Sequence, residues 1–238
     1  MPWGIPVPGD EEHVMYVWCD ALTNYLTGLG FVWDEKKFEY FGKRSYLHII
    51  GKDISRFHCL FYQAMLESAD LPTSKNILVH GFVTSGGNRL SKTLGNILDP
   101  IEMANKYGSD AVKFFIGTAA RVGKDIDYTE SWFHSDYTDQ LANNYGNYIN
   151  RVITLCQKYN IQTSDDRVVD NFSLVYDNYI QAMDVFDIKV AFEEAFVVLD
   201  TANKFLNQQE PWKMTDEKQR ASVMIAALEY LYHITVLL

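Results

Sequence analysis

An alternation between residues 45 and 84 constrains the fold more than any other feature. "SYLHIIG" is a short β-branched run of strand length. "KDISRFHCLFYQAMLESA" follows, with Ile54, Phe57, His58, Phe61, Tyr62 and Met65 at helical spacing and Asp53 or Ser55 as candidate N-cap. "LPTSK" breaks the pattern, and "NILVHGFVT" is a second apolar run. Short apolar runs bounded by turn residues read as buried strands. Strand, helix, strand in that order predicts a parallel βαβ unit. Upstream, "HVMYVWCDALTNYL" reads as a strand or turn entering a helix. After Pro100, "IEMANKYGSDAVKFFIGTAA" predicts two short helices broken near Gly108-Ser109-Asp110.

The period changes from about Ser131. Leu141, Tyr145, Tyr148, Ile149, Val152, Leu155, Cys156 and Tyr159 recur at three- and four-residue spacing. So do Val175, Tyr179, Met183 and Phe186, then Ala195, Leu199, Ala202 and Leu206, and "RASVMIAALEYLYHITVLL" adds another helix. These stripes predict an antiparallel helical bundle. The expected class is α/β plus all-α: part of a parallel sheet in residues 1–125, then the bundle in 126–238. Charge and turn residues in "RVGKDIDYTESW" mark the boundary. Two predicted strands are few for a parallel sheet, and the last helix stops on "TVLL" without a cap. Both suggest a piece of a longer protein.

Composition narrows the function classes. At 47% hydrophobic and 22% charged, the chain can bury a core. Its net charge of 21 − 31 = −10 argues against a generic nucleic-acid coat, so any RNA contact must use a local patch. Cys19, Cys59 and Cys156 are odd in number and form no CxxC pair. Neither a disulfide framework nor a zinc ribbon is indicated, and a reducing, cytoplasmic setting is expected. No apolar run approaches the roughly 20 residues that span a bilayer. The N-terminus lacks the basic and apolar regions of a signal peptide, so no membrane partner is expected.

"GGNRLSKTLGNILDP", residues 86–100, carries the chemistry. It follows an apolar run and holds Arg89 and Lys92. A Walker loop would need a glycine where Ser91 stands and a helix opening at Lys92-Thr93, but Gly95 and Pro100 interrupt that segment. A solvated basic turn is the bland alternative. The stretch resembles the Lys-Met-Ser-Lys-Ser signature of class I aminoacyl-tRNA synthetases, with Arg89-Leu90-Ser91-Lys92-Thr93 as the pentapeptide. "VPGDEEHVMYVWCDALTNYL", "HIIGKDISRFHCLFYQAMLESADLP", "LANNYGNYINRV" and "NQQEPWK" are similar to the methionyl-tRNA synthetase family, so the resemblance covers nearly the whole chain. Class I synthetases for valine, isoleucine, leucine or cysteine share the loop but not "YVWCDALTNY" with "GKDISRFH".

The resemblance implies a Rossmann-like sheet in residues 1–125, with the signature loop at 89–93, and an anticodon-binding bundle in 126–238. It implies activation of L-methionine by ATP with Mg2+, then transfer to tRNA(Met). Arg89 and Lys92 would stabilise the leaving pyrophosphate as a mobile lid, with Ser91 also on ATP. Gly51 and Asp53 would hold the ATP ribose, and His80 would lie beside the adenine. Asp53 could equally be no more than a helix cap. Val17 and Trp18 would line the methionine pocket with His58 and Tyr62 nearby, where a thioether favours aromatic edges. From the residues alone, Trp18 could equally be a core aromatic, and His58 reads as a core histidine on an apolar face.

Trp212 would stack an anticodon base. Read from the residues alone, it could also open a helix in the core. The family's other readers are an Asn and an Arg one helical turn apart, and we match Thr154 and Lys158 to them. Neither keeps the residue type, and Lys cannot reproduce a bidentate guanidinium. Arg89 likewise replaces a lysine. No His-Ile-Gly-His signature occurs. Half of the ATP site is therefore expected in a missing N-terminal half, together with any zinc-binding insertion, and no metal site is expected here. The chain alone is expected to be inactive. The competing reading is a non-catalytic anticodon-binding module.

Overall fold

The computed structural model describes residues 4–42, 47–90, 98–119, 121–162 and 172–238. They form two compact units, Met1–Gly81 and Phe82–Leu238.

The first unit begins with an antiparallel pair, β1 (Pro6–Val7) and β2 (Asp10–Val14). Three short helices follow: α1 (Trp18–Leu22), α2 (Asn24–Gly28) and α3 (Glu35–Lys37). β3 (Leu47–Gly51) and β4 (Asn76–His80) are parallel, in register from Leu47↔Asn76 to Gly51↔His80. This is the βαβ unit read from the sequence. Its crossover is less regular than the sequence predicts. A 3₁₀ turn (Lys52–Ile54) and a π-helical stretch (Phe57–Phe61) precede α4 (Tyr62–Ser68). Neither Asp53 nor Ser55 caps the helix; the Ser55 hydroxyl donates back to Lys52 O at 2.8 Å. The π stretch shifts the helical phase, so His58, Tyr62 and Leu66 are buried while Phe61 stays exposed. Leu22, Tyr62 and Leu66 form the core, packed by Trp18, Tyr25, Leu26, Phe57 and Leu71. The Gln63 amide bonds Ser74 twice, with Ser74 N donating to Gln63 Oε1 at 2.9 Å and Gln63 Nε2 donating to Ser74 Oγ at 3.1 Å, which fixes the entry to β4.

The second unit opens with a sheet ordered β6-β5-β7: β5 (Val83–Ser85), β6 (Asn88–Arg89) and β7 (Ile126–Tyr128). β5 and β6 join through Gly86 and Gly87, both at positive φ (+59° and +75°), as a two-residue hairpin of primed type requires. α5 (Pro100–Tyr107) and α6 (Ser109–Ala119) break at Gly108, as predicted. Asp99 caps α5, accepting from Ile101 N at 2.8 Å, with Pro100 in the first turn. α7 (Glu130–Asp136) runs through a π-helical stretch (Tyr137–Gly146) into α8 (Asn147–Lys158).

α9 (Ser173–Asp184), α10 (Ile188–Gln209) and α11 (Glu217–Leu237) complete the bundle. Asp187 and Asp216 cap α10 and α11. Ala195, Leu199, Ala202 and Leu206 are all buried, as their spacing predicts. They pack with Tyr148, Val152, Met224, Ala227, Ile234 and Leu237. Each fully buried Leu or Val side chain contributes about 1.5–3 kcal/mol. The α9 stripe is turned from expectation: Val175 and Tyr179 pack inward, but Ala182 is buried and Met183 exposed. Packing divides the chain at Gly81–Phe82, ahead of the change in sequence character. The reason is local: β5 pairs with β7, and α6 packs on α10 through Gly117, where a Cβ would overlap the Phe192 ring.

Candidate functional site

In the first unit, Gly51 and His80 end adjacent parallel strands as direct register partners. Ligands of parallel sheets bind at such carboxyl ends. Gly51 has an ordinary extended backbone (φ −72°), so its glycine is not needed for conformation. It is needed for space: a Cβ there would lie 2.7 Å from Asp53 Oδ1 and 3.7 Å from His80 Cε1. Gly51, Asp53 and His80 thus converge, with Asp53 and His80 both exposed. His80 Nδ1 donates to Gly81 O at 2.8 Å, which leaves Nε2 as the acceptor of the neutral ring.

An aromatic group lies in the same unit. Trp18 stacks on Phe57 with centroids 4.6 Å apart and planes 3° from parallel, and lies edge-on to His58 at 6.1 Å. His58 is buried between two partners. Its Nδ1 donates to Ile54 O at 3.0 Å, and its Nε2 pairs with Tyr25 Oη at 2.9 Å. Tyr25 also contacts His48 and Tyr62, with centroids at 4.6 and 5.6 Å. Burial, with His58 nearby, lowers the His48 pKa. The expected residues Trp18, His58 and Tyr62 are therefore in one cluster. Val17 is 67% exposed at the N-cap of α1. Tyr25 and His48 are not singled out by the sequence, which reads Phe57 only as part of an apolar helix face; aromatic type at scattered positions gives no signal of convergence.

In the second unit, Arg89 lies on β6, the outgoing strand of the hairpin. Ser91 and Lys92 lie outside the described residues, as does the Arg89 side chain. Carboxylates on β7 and just before it hold the hairpin. Asp125 Oδ1 accepts from Phe82 N at 2.8 Å. Asp127 Oδ1 accepts from Gly87 N at 2.9 Å and Thr84 Oγ1 at 2.8 Å. Those bonds, the Gly87 amide first, hold the Asp127 carboxyl below its usual pKa.

Trp212 lies beyond the C-terminus of α10, in the 3₁₀ turn Pro211–Lys213, and is 37% exposed. Glu210 turns the chain there in the left-handed region (φ 45°). The Arg151 guanidinium lies 4.6 Å from the Trp212 ring centroid, and its Nη1 donates to Asn207 Oδ1 at 2.8 Å. Arg220 lies 4.3 Å over Tyr159 and donates from Nε to Pro211 O at 3.2 Å and from Nη2 to Met214 O. Thr154 and Lys158 are exposed on α8. Thr154 Oγ1 donates to Asn150 Oδ1 at 3.4 Å, and Lys158 Nζ lies 5.2 Å over Tyr159. Arg151, which the sequence presents only within "LANNYGNYINRV", is the cation that the structure brings to Trp212.

Among the described residues, no three His, Cys, Asp or Glu side chains group to hold a metal ion, and no helix is long and apolar enough to cross a membrane.

Known proteins are similar to this chain in sequence and fold. A methionine–tRNA ligase of Brucella suis is 35% identical over 99% of this chain and 48% of its own length. That of Thermotoga maritima is 32% identical over 99% of this chain and 39% of its length. Mycobacterium tuberculosis methionyl-tRNA synthetase, solved in complex with methionyl-adenylate, aligns with a TM-score of 0.80 at 32% identity, covering 100% of this chain and 50% of that one. The chain thus spans half or less of the length of these relatives, and the expected α/β plus helical-bundle class is theirs. The family model of class I tRNA synthetases (M) matches residues 1–153. The chain belongs to that family.

Proposed function

We propose that the chain is part of a methionine–tRNA ligase, with a catalytic region in residues 1–125 and an anticodon-binding region in 126–238. The observation that carries this reading is the convergence of Gly51, Asp53 and His80 at the ends of two parallel strands. Asp53 accepts from the ribose hydroxyls of ATP, supplied as its Mg2+ complex. Gly51 leaves room for the sugar, and His80 borders the adenine. Trp18, His58 and Tyr62 take the methionine side chain, with Val17 at the rim. The methionine carboxylate attacks the α-phosphorus, a P–O bond forms, and pyrophosphate leaves. Arg89, Ser91 and Lys92 stabilise the charge on that leaving group. The adenylate then passes its methionyl group to tRNA(Met), in the cytoplasm. The His-Ile-Gly-His half of the ATP site comes from outside this chain.

Methionine-dependent ATP–pyrophosphate exchange tests the reading. The chain alone gives background exchange. The same chain joined to a His-Ile-Gly-His-bearing N-terminal half gives exchange well above it. Activity from the chain alone, or none from the joined protein, overturns it.

A second reading, a non-catalytic anticodon-binding module, draws on the exposed Trp212 face backed by Arg151. Arg151 and Asn147 lie one turn apart on α8 and supply the Asn and Arg types of the family's base readers. Thr154 and Lys158 then follow Arg151 one and two turns on. Loss of anticodon stem-loop binding in Trp212→Ala, with no exchange from the joined protein, favours this second reading.

A further inference from the structure

The hairpin that leads into the signature loop is held from outside itself. Its turn, Gly86-Gly87, has both residues at positive φ. In a two-residue hairpin the ladder closes between the flanking residues, here Ser85↔Asn88, so the second turn amide has no ladder partner. The Gly87 amide is satisfied instead by Asp127 Oδ1 at 2.9 Å, across 40 residues of sequence. The same oxygen accepts from Thr84 Oγ1 at 2.8 Å, on the incoming strand. Thr84 pairs in register with Asp127 on one side and with Arg89 on the other. One carboxylate oxygen therefore ties both the strand and the turn of the hairpin to β7. Asp125 fixes the foot of β5 through Phe82 N. Two residues beyond the Gly87 contact the chain reaches Arg89.

We propose that Asp127 is a positioning residue for the reaction, setting where the hairpin delivers Arg89 against the departing pyrophosphate. This rests on the assignment of Arg89 to pyrophosphate above. Asp127 touches no substrate; it acts through the backbone of Gly87 and the hydroxyl of Thr84. Both bonds fall on one oxygen, so the role needs an acceptor at that point and not a charge. That separates it from a carboxylate acting by its field. It also separates it from a turn that only stabilises the fold, because displacement of the hairpin weakens transition-state contacts to the pyrophosphate and leaves the affinity for methionine unchanged.

Steady-state exchange kinetics in the full-length ligase containing this chain provide the test. Asp127→Ala lowers kcat/KM for ATP roughly tenfold, the size of about one ordinary hydrogen bond, with KM for methionine unchanged. Asp127→Asn keeps an amide oxygen at the same place and returns the value to within about twofold of the parent. Thr84→Val, which removes one of the two donors, falls between them and serves if Asp127→Ala does not fold. Equal exchange by the parent, Asp127→Ala and Thr84→Val overturns the proposal. So does Asp127→Asn behaving no better than Asp127→Ala, or equal loss in the ATP and methionine parameters. If the full-length parent itself shows no methionine-dependent exchange, the assignment of the loop to pyrophosphate fails and this proposal with it.

Discussion

Arg151 lies with its guanidinium 4.6 Å from the Trp212 ring centroid, joining α8 to the turn that follows α10. It is also anchored to Asn207 at 2.8 Å. Trp212 keeps 37% of its surface exposed, and exposed aromatic surface is where a base stacks. Trp212→Ala is expected to weaken binding of an anticodon stem-loop by about 1–3 kcal/mol. Arg151→Lys keeps the charge but loses the planar fork, so it too weakens binding while preserving the fold. Fluorescence anisotropy with a labelled stem-loop measures both. Wild-type affinity in both variants would refute this surface as the base reader.

Gly51→Ala places a methyl 2.7 Å from Asp53 Oδ1 and forces the carboxylate aside. The backbone there suits alanine (φ −72°), so stability changes little. In the full-length ligase, KM for ATP should rise with KM for methionine constant. Equal KM for ATP in the parent and the variant would show that Asp53 does not hold the ribose.

Gly117→Ala drives a Cβ into the Phe192 ring between α6 and α10. Overpacking of this kind costs about 1–3 kcal/mol. Urea denaturation should show a lower midpoint, and Gly117→Ala combined with Phe192→Leu should recover part of it. A variant as stable as the parent would mean that this helix contact has room to open.

His48 titrates below its ordinary value of 6.5, through burial first and the nearby His58 second. Its neutral form is therefore favoured by folding. Above about pH 6.5 both folded and unfolded chains hold the neutral ring. As pH falls through that value the unfolded chain binds the proton first, so stability declines towards the folded pKa. His48→Asn should flatten this part of the stability–pH curve, measured by urea unfolding between about pH 7 and 5. An unchanged slope would place the titration elsewhere.

Sequence and structure divide the account of this protein between them. The strand-helix-strand order, the break at Gly108 and the buried face of α10 follow from local periodicity and turn chemistry, and all are present. The signature loop is read from the sequence through its resemblance to a family motif, and Ser91 and Lys92 lie outside the described residues. Only the tertiary structure brought Gly51, Asp53 and His80 to one edge, since parallel register joins residues about 30 positions apart. It alone set Asp127 under the Gly87 amide and Arg151 against Trp212. Periodicity reports which face of a segment is buried. Which distant side chains meet across that face depends on strand register, helix phase and the turns between, and one π-helical stretch was enough to move the buried face in the βαβ crossover.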